Sequence, residues 1–247
     1  AVKDKDIYIL EVNPRASRSI PFVSKATNIP LAKLATKIMV GFNLQQVHFT
    51  EEITPGYFCA KESVFPFNRF PGADCVLGPE MKSTGEVMGI DESFEMAYAK
   101  SQIAAGQKLP LKGTIFISVR DRDKPAIVDI ARDFQQMGFT LLTSAGTGKF
   151  LSEREINVIV IQKISEGRPN IIDYIKNRQV SLIINTPSGK KPRRDILSTR
   201  RFAVEHGIPL ITTISGARAT KMAIEKLKTD TLKVSSLQTY YSQFETK

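Results

Sequence analysis

The sequence predicts an α/β protein. From Gly113 onward, short apolar segments rich in β-branched residues alternate five times with amphipathic helical segments. The 247 residues, 42% of them hydrophobic, are enough to bury ordinary cores in one or two domains, which excludes disorder, collagen and a membrane-embedded protein. The two cysteines, Cys59 and Cys75, lack the spacing of a zinc site and indicate a reducing compartment, so we expect a cytoplasmic protein.

The N-terminal part begins with a predicted strand. Residues 7–12 are apolar and largely β-branched until Asn13 and Pro14 interrupt them, and nothing before them is expected to pair with this strand. A helix is predicted from Pro30, which suits a first helical turn, to Met39, and Gly41 ends it.

The next part of the chain is less regular. Residues 42–90 are rich in proline and glycine, so we expect loops and short strands there. A helix capped by Asp91 or Ser93 is predicted over residues 94–105, and Gly106 with Pro110 would end it. Residues 106–112 are the predicted linker between a domain of residues 1–112 and a domain of residues 113–247.

The alternation from Gly113 predicts a parallel sheet with helices on both faces, because right-handed crossovers place them there. Ligands of such sheets bind at the carboxyl ends of the strands. The predicted strands cover residues 114–119, 139–142, 158–161, 182–184 and 210–212. The predicted helices cover about residues 127–137, 170–178, 193–206 and 216–228.

Most of the net charge of +10 falls in one region. Residues 113–229 carry 20 Lys and Arg against 11 Asp and Glu, an excess of 9. Such an excess indicates an anionic ligand or a solvated basic surface. The basic segment 190–194 raises the alternative of nucleic-acid binding, but no aromatic side chains stand beside it, so we favour a phosphate-binding loop or a solvated turn.

The first candidate site follows the N-terminal strand. Glu11 and Asn13, two residues apart on a strand, would point to the same face and offer a carboxylate and an amide oxygen to a hard cation such as Mg²⁺. Arg15 and Arg18 follow, and their guanidinium groups suit phosphate oxygens. The spacing therefore indicates a Mg²⁺-phosphate site, with a salt bridge at the end of the strand as the alternative.

Residues 9–27 and 30–35 resemble the end of the second ATP-grasp domain in the large subunit of carbamoyl-phosphate synthase. The resemblance continues through residues 65–72 and 77–89 and covers essentially the whole chain. It implies that Glu11 and Asn13 bind Mg²⁺ or Mn²⁺ with ATP, and that Arg15 and Arg18 hold phosphate groups where carbamate is phosphorylated. Such catalysis depends on positioning and charge neutralisation.

In the complete enzyme, the resemblance implies synthesis of carbamoyl phosphate from bicarbonate, glutamine-derived ammonia and two ATP, for pyrimidine and arginine biosynthesis. A glutaminase small subunit and an oligomeric assembly are implied as partners. Because the earlier strands of an ATP-grasp fold are not found in this sequence, we expect a C-terminal fragment that is inactive alone.

Residues 113–229 resemble the methylglyoxal-synthase-like regulatory domain of the same family, in which a nucleotide monophosphate binds at the strand ends. Independently of the resemblance, residues 144–147 offer hydroxyls and backbone N–H groups at a predicted helix start. Such a group of residues either binds a phosphate or forms an ordinary helix N-cap. The positions that correspond to this nucleotide site are Lys124, Ser144, Gly146, Thr147, Lys163, Asn185, Thr186 and Ser188. This chain departs from the family at Pro187, where many members have a threonine.

Other assignments carry alternatives. Glu62 matches a carboxylate that binds ornithine in some members, but Leu210 replaces their tyrosine, and a surface salt bridge is an equal alternative. A free-standing lyase of the methylglyoxal synthase type would need a carboxylate base and a histidine near the phosphate, which Asn185 and the isolated His48 and His206 do not supply. A simpler phosphate-binding module remains the other alternative, and we expect neither nucleic acid nor membrane as a partner.

Overall fold

The computed structural model describes residues 1–12, 14, 15, 17–65, 85–186 and 194–243. The chain divides into two compact units. The smaller unit combines Ala1–Gly56 with Ser235–Lys247, and the larger unit is Tyr57–Val234. The predicted domain boundary at residues 112 and 113 falls inside the larger unit.

The smaller unit contains a short antiparallel pair of strands and three helices. The strands β1 (Val2–Lys3) and β2 (Asp6–Ile7) are joined through Asp4 and Lys5, both with positive φ, as in a tight two-residue hairpin turn. The helices are α1 (Ser19–Thr27), α2 (Leu31–Met39) and α9 (Leu237–Gln243). Within this unit, the hydroxyl of Tyr241 donates to the carbonyl oxygen of Lys25 at 2.6 Å.

The predicted strand over residues 7–12 was wrong in extent. Only Ile7 belongs to a strand, β2, and this strand does pair with a preceding one. Among the described residues, no other strand pairs with residues 8–12, and Ile9 and Val12 are about four-fifths exposed, at 81% and 79%. Strand geometry needs a hydrogen-bonded neighbour, so apolar, β-branched composition alone does not produce it here. The predicted helix from Pro30 to Met39 is confirmed as α2.

The larger unit begins with a hairpin and a helix. Strands β3 (Phe58–Val64) and β4 (Gly85–Asp91) pair antiparallel, with Phe58 opposite Asp91. Helix α3 (Phe94–Ala104) follows, and the hydroxyl of Ser93 caps it by accepting from the backbone N–H of Met96 at 3.4 Å. The predicted helix and its Ser93 cap are therefore confirmed. The short strands expected within residues 42–90 include β3, which is seven residues long.

The predicted parallel sheet is confirmed, with the strand order β7-β6-β5-β8-β9. The chain moves outward from β5 to β6 and β7 and then returns to place β8 on the other side of β5. The strands are β5 (Thr114–Ser118), β6 (Thr140–Ser144), β7 (Ile159–Ile161), β8 (Leu182–Asn185) and β9 (Leu210–Ile211). The helices between them are α4 (Lys124–Gln136), α5 (Ala145–Ser152), α6 (Ile171–Lys176), α7 (Arg194–Glu205) and α8 (Ile214–Thr229).

Two hydrophobic cores lie on opposite faces of this sheet. Successive residues of β5 alternate between them: Ile115 and Ile117 belong to one core, and Phe116 belongs to the other. The first core is completed by residues of α3, α4, α5 and α8, and the second by residues of α6 and α7. Helices therefore cover both faces, as predicted for a parallel sheet.

Helix α5 packs closely on the sheet through a glycine. A Cβ atom at Gly148 would lie 2.5 Å from the hydroxyl oxygen of Thr143 in β6 and 2.6 Å from a methyl carbon of Val160 in β7. A glycine in a helix interior lowers helix propensity, so the sequence signal for α5 is weak, but the tight packing on β6 and β7 needs it.

We predict that Gly89→Ala strongly destabilises the larger unit. A Cβ atom at Gly89 in β4 would overlap the carbonyl oxygen of Ala97 in α3 and lie 2.5 Å from the backbone nitrogen of Ser101. Backbone atoms cannot rotate away, so the free energy of unfolding, measured by urea denaturation, should fall by about 2–3 kcal/mol.

The matched control is Gly85→Ala in the same strand. A Cβ atom there would lie 3.5 Å from the Cβ of Val64, an ordinary contact. This variant should stay within about 1 kcal/mol of the parent chain. Equal losses in the two variants would contradict the close contact of α3 with β4.

Candidate functional site

A cavity of about 250 Å³ lies at the carboxyl ends of β5, β6 and β8. This is the edge where the chain reverses its direction of travel across the sheet, and ligands of open α/β sheets bind at such a reversal. The cavity is lined by Phe116, Ser118, Val119, Arg120, Ser144, Gln162, Lys163, Ile164, Ser165, Ile171, Asn185, Thr186, Asp195 and Thr199.

Side-chain hydrogen bonds hold the strand ends together at this edge. The hydroxyls of Ser118 at the end of β5 and Ser144 at the end of β6 are 2.9 Å apart. On the other side of β5, the backbone N–H of Arg120 donates to the hydroxyl of Thr186 at 3.1 Å. Thr186 is 3% exposed, so this predicted site residue lies in the cavity wall and braces β5 against β8.

Helix α5 directs its N-terminus to the same edge. Its N-cap residue, Ser144, makes no capping hydrogen bond, whereas Ser93, Asn170 and Thr213 cap α3, α6 and α8. The first-turn N–H groups of α5 are therefore left without a side-chain acceptor from the N-cap. Together with the helix dipole, such groups favour an anion.

Lys124 adds a positive charge beside this helix start. A Cβ atom at Gly146 in the first turn of α5 would lie 3.5 Å from Lys124 Nζ, which also lies 5.9 Å from the ring centroid of Phe150. The lysine ammonium lies 2.7 Å from Asp121 Oδ1, and hydrogen bonding to Lys124 lowers the pKa of the Asp121 carboxyl. The helix dipole and Lys124 thus act in the same direction.

Thr147 has a structural role behind the cavity wall and does not line the cavity itself. Its hydroxyl accepts the backbone N–H of Val119 at 3.1 Å, and the side chain is 1% exposed. The hydroxyl of Ser144 also donates to it at 3.4 Å. The Thr147 hydroxyl therefore ties α5 to the end of β5, and any contribution to a phosphate site would come from its backbone N–H.

Asn185, at the end of β8, places an unpaired acceptor in the cavity wall. The side chain is 6% exposed, and among the described residues its Oδ1 has no hydrogen-bond partner. A buried polar atom without a partner is costly in free energy. The cavity therefore offers one acceptor for a ligand N–H or O–H, beside a region rich in donors.

Lys163 lies in the turn after β7. Its ammonium lies 2.5 Å from Glu166 Oε1, and the two side chains are about half-exposed, at 47% and 49%. Hydrogen bonds from the side chain and the backbone N–H of Lys163 lower the pKa of the Glu166 carboxyl. The basic group predicted at this strand end thus lines the cavity.

Glu62 does not line this cavity. It lies in β3, where its Oε2 accepts a hydrogen bond from Nε2 of Gln102 in α3 at 2.8 Å. One turn earlier in α3, the hydroxyl of Tyr98 lies 3.1 Å from the hydroxyl of the buried Thr220 in α8. Burial raises the pKa of Tyr98, as does the negative charge of Glu62, while the hydrogen bond with Thr220 lowers it. The effector role of Glu62 stays a prediction.

The predicted metal-phosphate residues belong to the smaller unit. Glu11 and Arg15 are exposed, and Arg18 is the N-cap residue of α1. Asn13 lies outside the described residues, as do Ser188, Pro187 and most of the basic segment 190–194. Within the part of the chain that the structure describes, no group of three or more His, Cys, Asp or Glu side chains could hold a metal ion.

Several residues of the cavity wall lack a strong sequence signal. Ser118, Arg120 and Gln162 directly follow or end predicted strands, so the rule of carboxyl strand ends could have identified them. Asp195 and Ser165 are different, because they meet only through the fold: Ser165 Oγ donates to Asp195 Oδ2 at 2.9 Å across thirty residues of chain. No spacing rule predicts that contact.

Two family models match separate parts of the chain. Residues 126–212 match the family model described as "MGS-like domain". The domain that contains the parallel sheet and its cavity is therefore of this class. Residues 1–47 match the model described as "Carbamoyl-phosphate synthase L chain, ATP binding domain".

Relatives match nearly the whole chain. It is 52% identical over 238 residues to the carbamoyl phosphate synthase large chain of Nostoc sp., covering 96% of this chain and 22% of that protein. It is 46% identical over 263 residues to the C-terminal section of the large chain of Aquifex aeolicus, covering 98% and 49%. The chain therefore belongs to the carbamoyl phosphate synthase large-chain family and spans less than half of the length of these relatives.

A third match is with the large chain of Archaeoglobus fulgidus, 53% identical over 244 residues, covering 98% of this chain and 23% of that protein. Among solved structures, methylglyoxal synthase from Elizabethkingia anophelis NUHP1 matches with a TM-score of 0.36 and 20% identity, covering 44% of this chain and 77% of that one. That structural similarity is too low to support an argument.

We predict that Thr147→Val destabilises the chain, because it removes the acceptor of the buried Val119 N–H without changing the side-chain volume. The free energy of unfolding should fall by about 1–3 kcal/mol, measured by urea denaturation. The control is Thr143→Val, one strand position before Ser144. Thr143 is fully buried and its hydroxyl has no partner among the described residues, so this variant should be neutral or slightly stabilising. A larger loss in Thr143→Val than in Thr147→Val would contradict these assignments.

Proposed function

We propose that residues 113–247 form an allosteric domain that binds a nucleotide monophosphate in the cavity at the carboxyl ends of β5, β6 and β8. One observation carries this proposal: the N-terminus of α5 has no side-chain cap at Ser144, and Lys124 lies against its first turn. These groups suit a phosphate. Residues 1–112 would then belong to the ATP-grasp domain and its connecting region.

The remaining cavity groups suit the rest of a nucleotide. Lys163 would reach the phosphate from the turn after β7, and Ser144 would offer a hydroxyl. Gly146, which does not line the cavity itself, would offer a backbone N–H from the first turn of α5. The unpaired Oδ1 of Asn185 would accept a hydrogen bond from a donor on the ligand. A phosphate monoester carries about −1.5 to −2 charges at neutral pH, which fits the basic excess of this region. Lys124, Thr147, Thr186 and Ser188 complete the proposed set.

For the complete enzyme, we propose an ATP-dependent ligase that makes carbamoyl phosphate from bicarbonate, glutamine-derived ammonia and two ATP. The match of residues 1–47 to an ATP-binding domain supports this assignment. ATP, carbamate and a glutaminase small subunit would be its partners in an oligomer, in pyrimidine and arginine biosynthesis in the cytoplasm. Among the described residues, no helix has the length and apolar character needed to cross a membrane.

The proposed metal ligands are Glu11, which the structure describes, and Asn13, which lies outside the described residues. The described residues hold no cluster of three or more ligating side chains, and Glu11 is an exposed single carboxylate. In the complete enzyme, Glu11 and Asn13 would contribute two ligands to Mg²⁺ or Mn²⁺, and Arg15 and Arg18 would neutralise phosphate charge. We derive no catalytic step through a metal in this chain.

The free-standing lyase is the weaker alternative. Among the described residues that line the cavity there is no histidine, and β8 ends in the neutral Asn185. His206 lies at the end of α7, where its Nδ1 is 2.9 Å from the carbonyl oxygen of Phe202. Proton abstraction next to a bound phosphate needs an acid-base pair, and this cavity wall does not offer one with histidine.

We predict that the chain binds uridine 5′-monophosphate or inosine 5′-monophosphate, measured by calorimetric titration. Lys163→Ala should weaken the affinity by about 10- to 100-fold, because it removes a charged hydrogen bond to the phosphate. The control is Lys112→Ala, which removes the same charge from an exposed position outside the cavity and should leave the affinity unchanged. Negligible heats with both nucleotides would sink the proposal.

We also predict that this 247-residue chain makes no carbamoyl phosphate from bicarbonate, ammonia and ATP in a coupled assay. Its match to the ATP-binding domain covers only residues 1–47. Two bound ATP molecules need more phosphate-binding groups than these residues provide. ATP-dependent turnover by the purified chain would contradict this expectation.

A further inference from the structure

Each lysine proposed to hold phosphate already has a carboxylate partner three residues away. Lys163 Nζ lies 2.5 Å from Glu166 Oε1, and Lys124 Nζ lies 2.7 Å from Asp121 Oδ1. Lys163 lies in the turn after β7, and Lys124 lies beside the first turn of α5. A carboxylate and a phosphate offer the same kind of anionic oxygen to an ammonium group.

The turn after β7 fixes the first pair locally. The backbone N–H groups of Glu166 and Gly167 both donate to the carbonyl oxygen of Lys163, at 2.9 and 3.3 Å. Glu166 Oε2 also lies 3.4 Å from the backbone N–H of Lys163. The backbone of the turn at residues 163–167 thus places Glu166 beside Lys163, independently of any ligand.

We infer that Glu166 and Asp121 are internal counter-ions that compete with a bound phosphate for Lys163 and Lys124 and thereby set the affinity of the cavity. This inference rests on the proposed nucleotide site. Each ammonium has three N–H donors but only one positive charge, so a carboxylate that stays beside the lysine weakens its attraction for an entering phosphate.

The exposure of these groups shows which partner gives way. The Asp121 side chain is 95% exposed, whereas Lys124 is 17% exposed and stays against α5. Glu166 is about half-exposed, so its carboxylate can also turn to solvent. Exposed ion pairs contribute little stability, and a phosphate dianion carries more charge than a carboxylate. A phosphate dianion should therefore displace the carboxylates, but it should bind less tightly than it would to lysines without carboxylate partners.

The same reasoning makes the charge of the ligand important. A monoanion gains little when it replaces a carboxylate of equal charge at each lysine, whereas a phosphate dianion gains more. Uridine 5′-monophosphate and inorganic phosphate are therefore the probes of choice. The cavity should discriminate against singly charged anions such as acetate.

The decisive experiment is calorimetric titration of uridine 5′-monophosphate into Glu166→Gln. Removal of the competing charge should tighten binding by about two- to fivefold, the range that an exposed ion pair supports. Asp121→Asn should act in the same direction and serves as a second, independent variant. The matched control is Glu153→Gln, because Glu153 is an exposed carboxylate that lies 3.9 Å from Arg154, outside the cavity.

A double-mutant cycle tests whether Glu166 acts through Lys163. In a Lys163→Gln background, Glu166→Gln should give a clearly smaller gain, because the lysine that it competes for is absent and only the direct repulsion between the carboxylate and the phosphate remains. If Glu166 had only a structural role, Glu166→Gln would lower the thermal unfolding temperature. Under the proposed role, the unfolding temperature should stay the same. Inorganic phosphate should show the same pattern with weaker absolute binding.

The outcomes separate this inference from the function on which it rests. If the parent chain binds the nucleotide and neither Glu166→Gln nor Asp121→Asn binds it more tightly, the inference fails and the nucleotide site stands. An equal gain in Glu153→Gln, or an undiminished gain from Glu166→Gln without Lys163, also overturns it. If the parent chain and both variants give no heat with nucleotide or phosphate, the proposed function and this inference fail together.

Discussion

Burial of strand β5 on both faces is the constraint on which the rest of the larger unit depends. Its side chains alternate between two cores, with Ile115 and Ile117 on one side and Phe116 on the other. A strand with two buried faces needs helices on both sides of the sheet, and parallel crossovers supply them. Because β5 is central, the ends of β5, β6 and β8 meet at the point where ligands of such sheets bind.

The cavity shows how polar groups divide between structure and ligand binding. The hydroxyls of Thr147 and Thr186 are bonded to the backbone just after β5 and brace the wall. In contrast, the first turn of α5 receives no side-chain cap from Ser144, and among the described residues the Oδ1 of Asn185 has no hydrogen-bond partner. A rigid wall with a few unused polar groups is what a preorganised binding site requires, because little ordering is left to occur on binding.

The sheet could be predicted from the sequence because each strand is a short apolar run between helical patterns. Other features could not, because tertiary contacts decide them. Pro21 obscures α1 although proline suits a first helical turn. The helix start at residues 144–147 is predicted and confirmed as the start of α5, but close packing on β6 and β7 explains the helical glycine Gly148. The predicted site residues Ser144, Lys163, Asn185 and Thr186 do line one cavity, because they follow strand ends. Asp195 joins that cavity only through the position of α7, which no local pattern encodes.

The packing of α3 on α8 affects how this protein can be divided. Met96 and Ala99 of α3 belong to the same core as Ala217 and Ile224 of α8. A chain cut at Gly113 would expose that face of α8 to water and leave the buried hydroxyl of Thr220 without Tyr98. A portion that keeps this core must therefore include α3, and the larger unit that contains α3 begins at Tyr57, so a chain cut at Gly113 should be less stable than one cut at Tyr57.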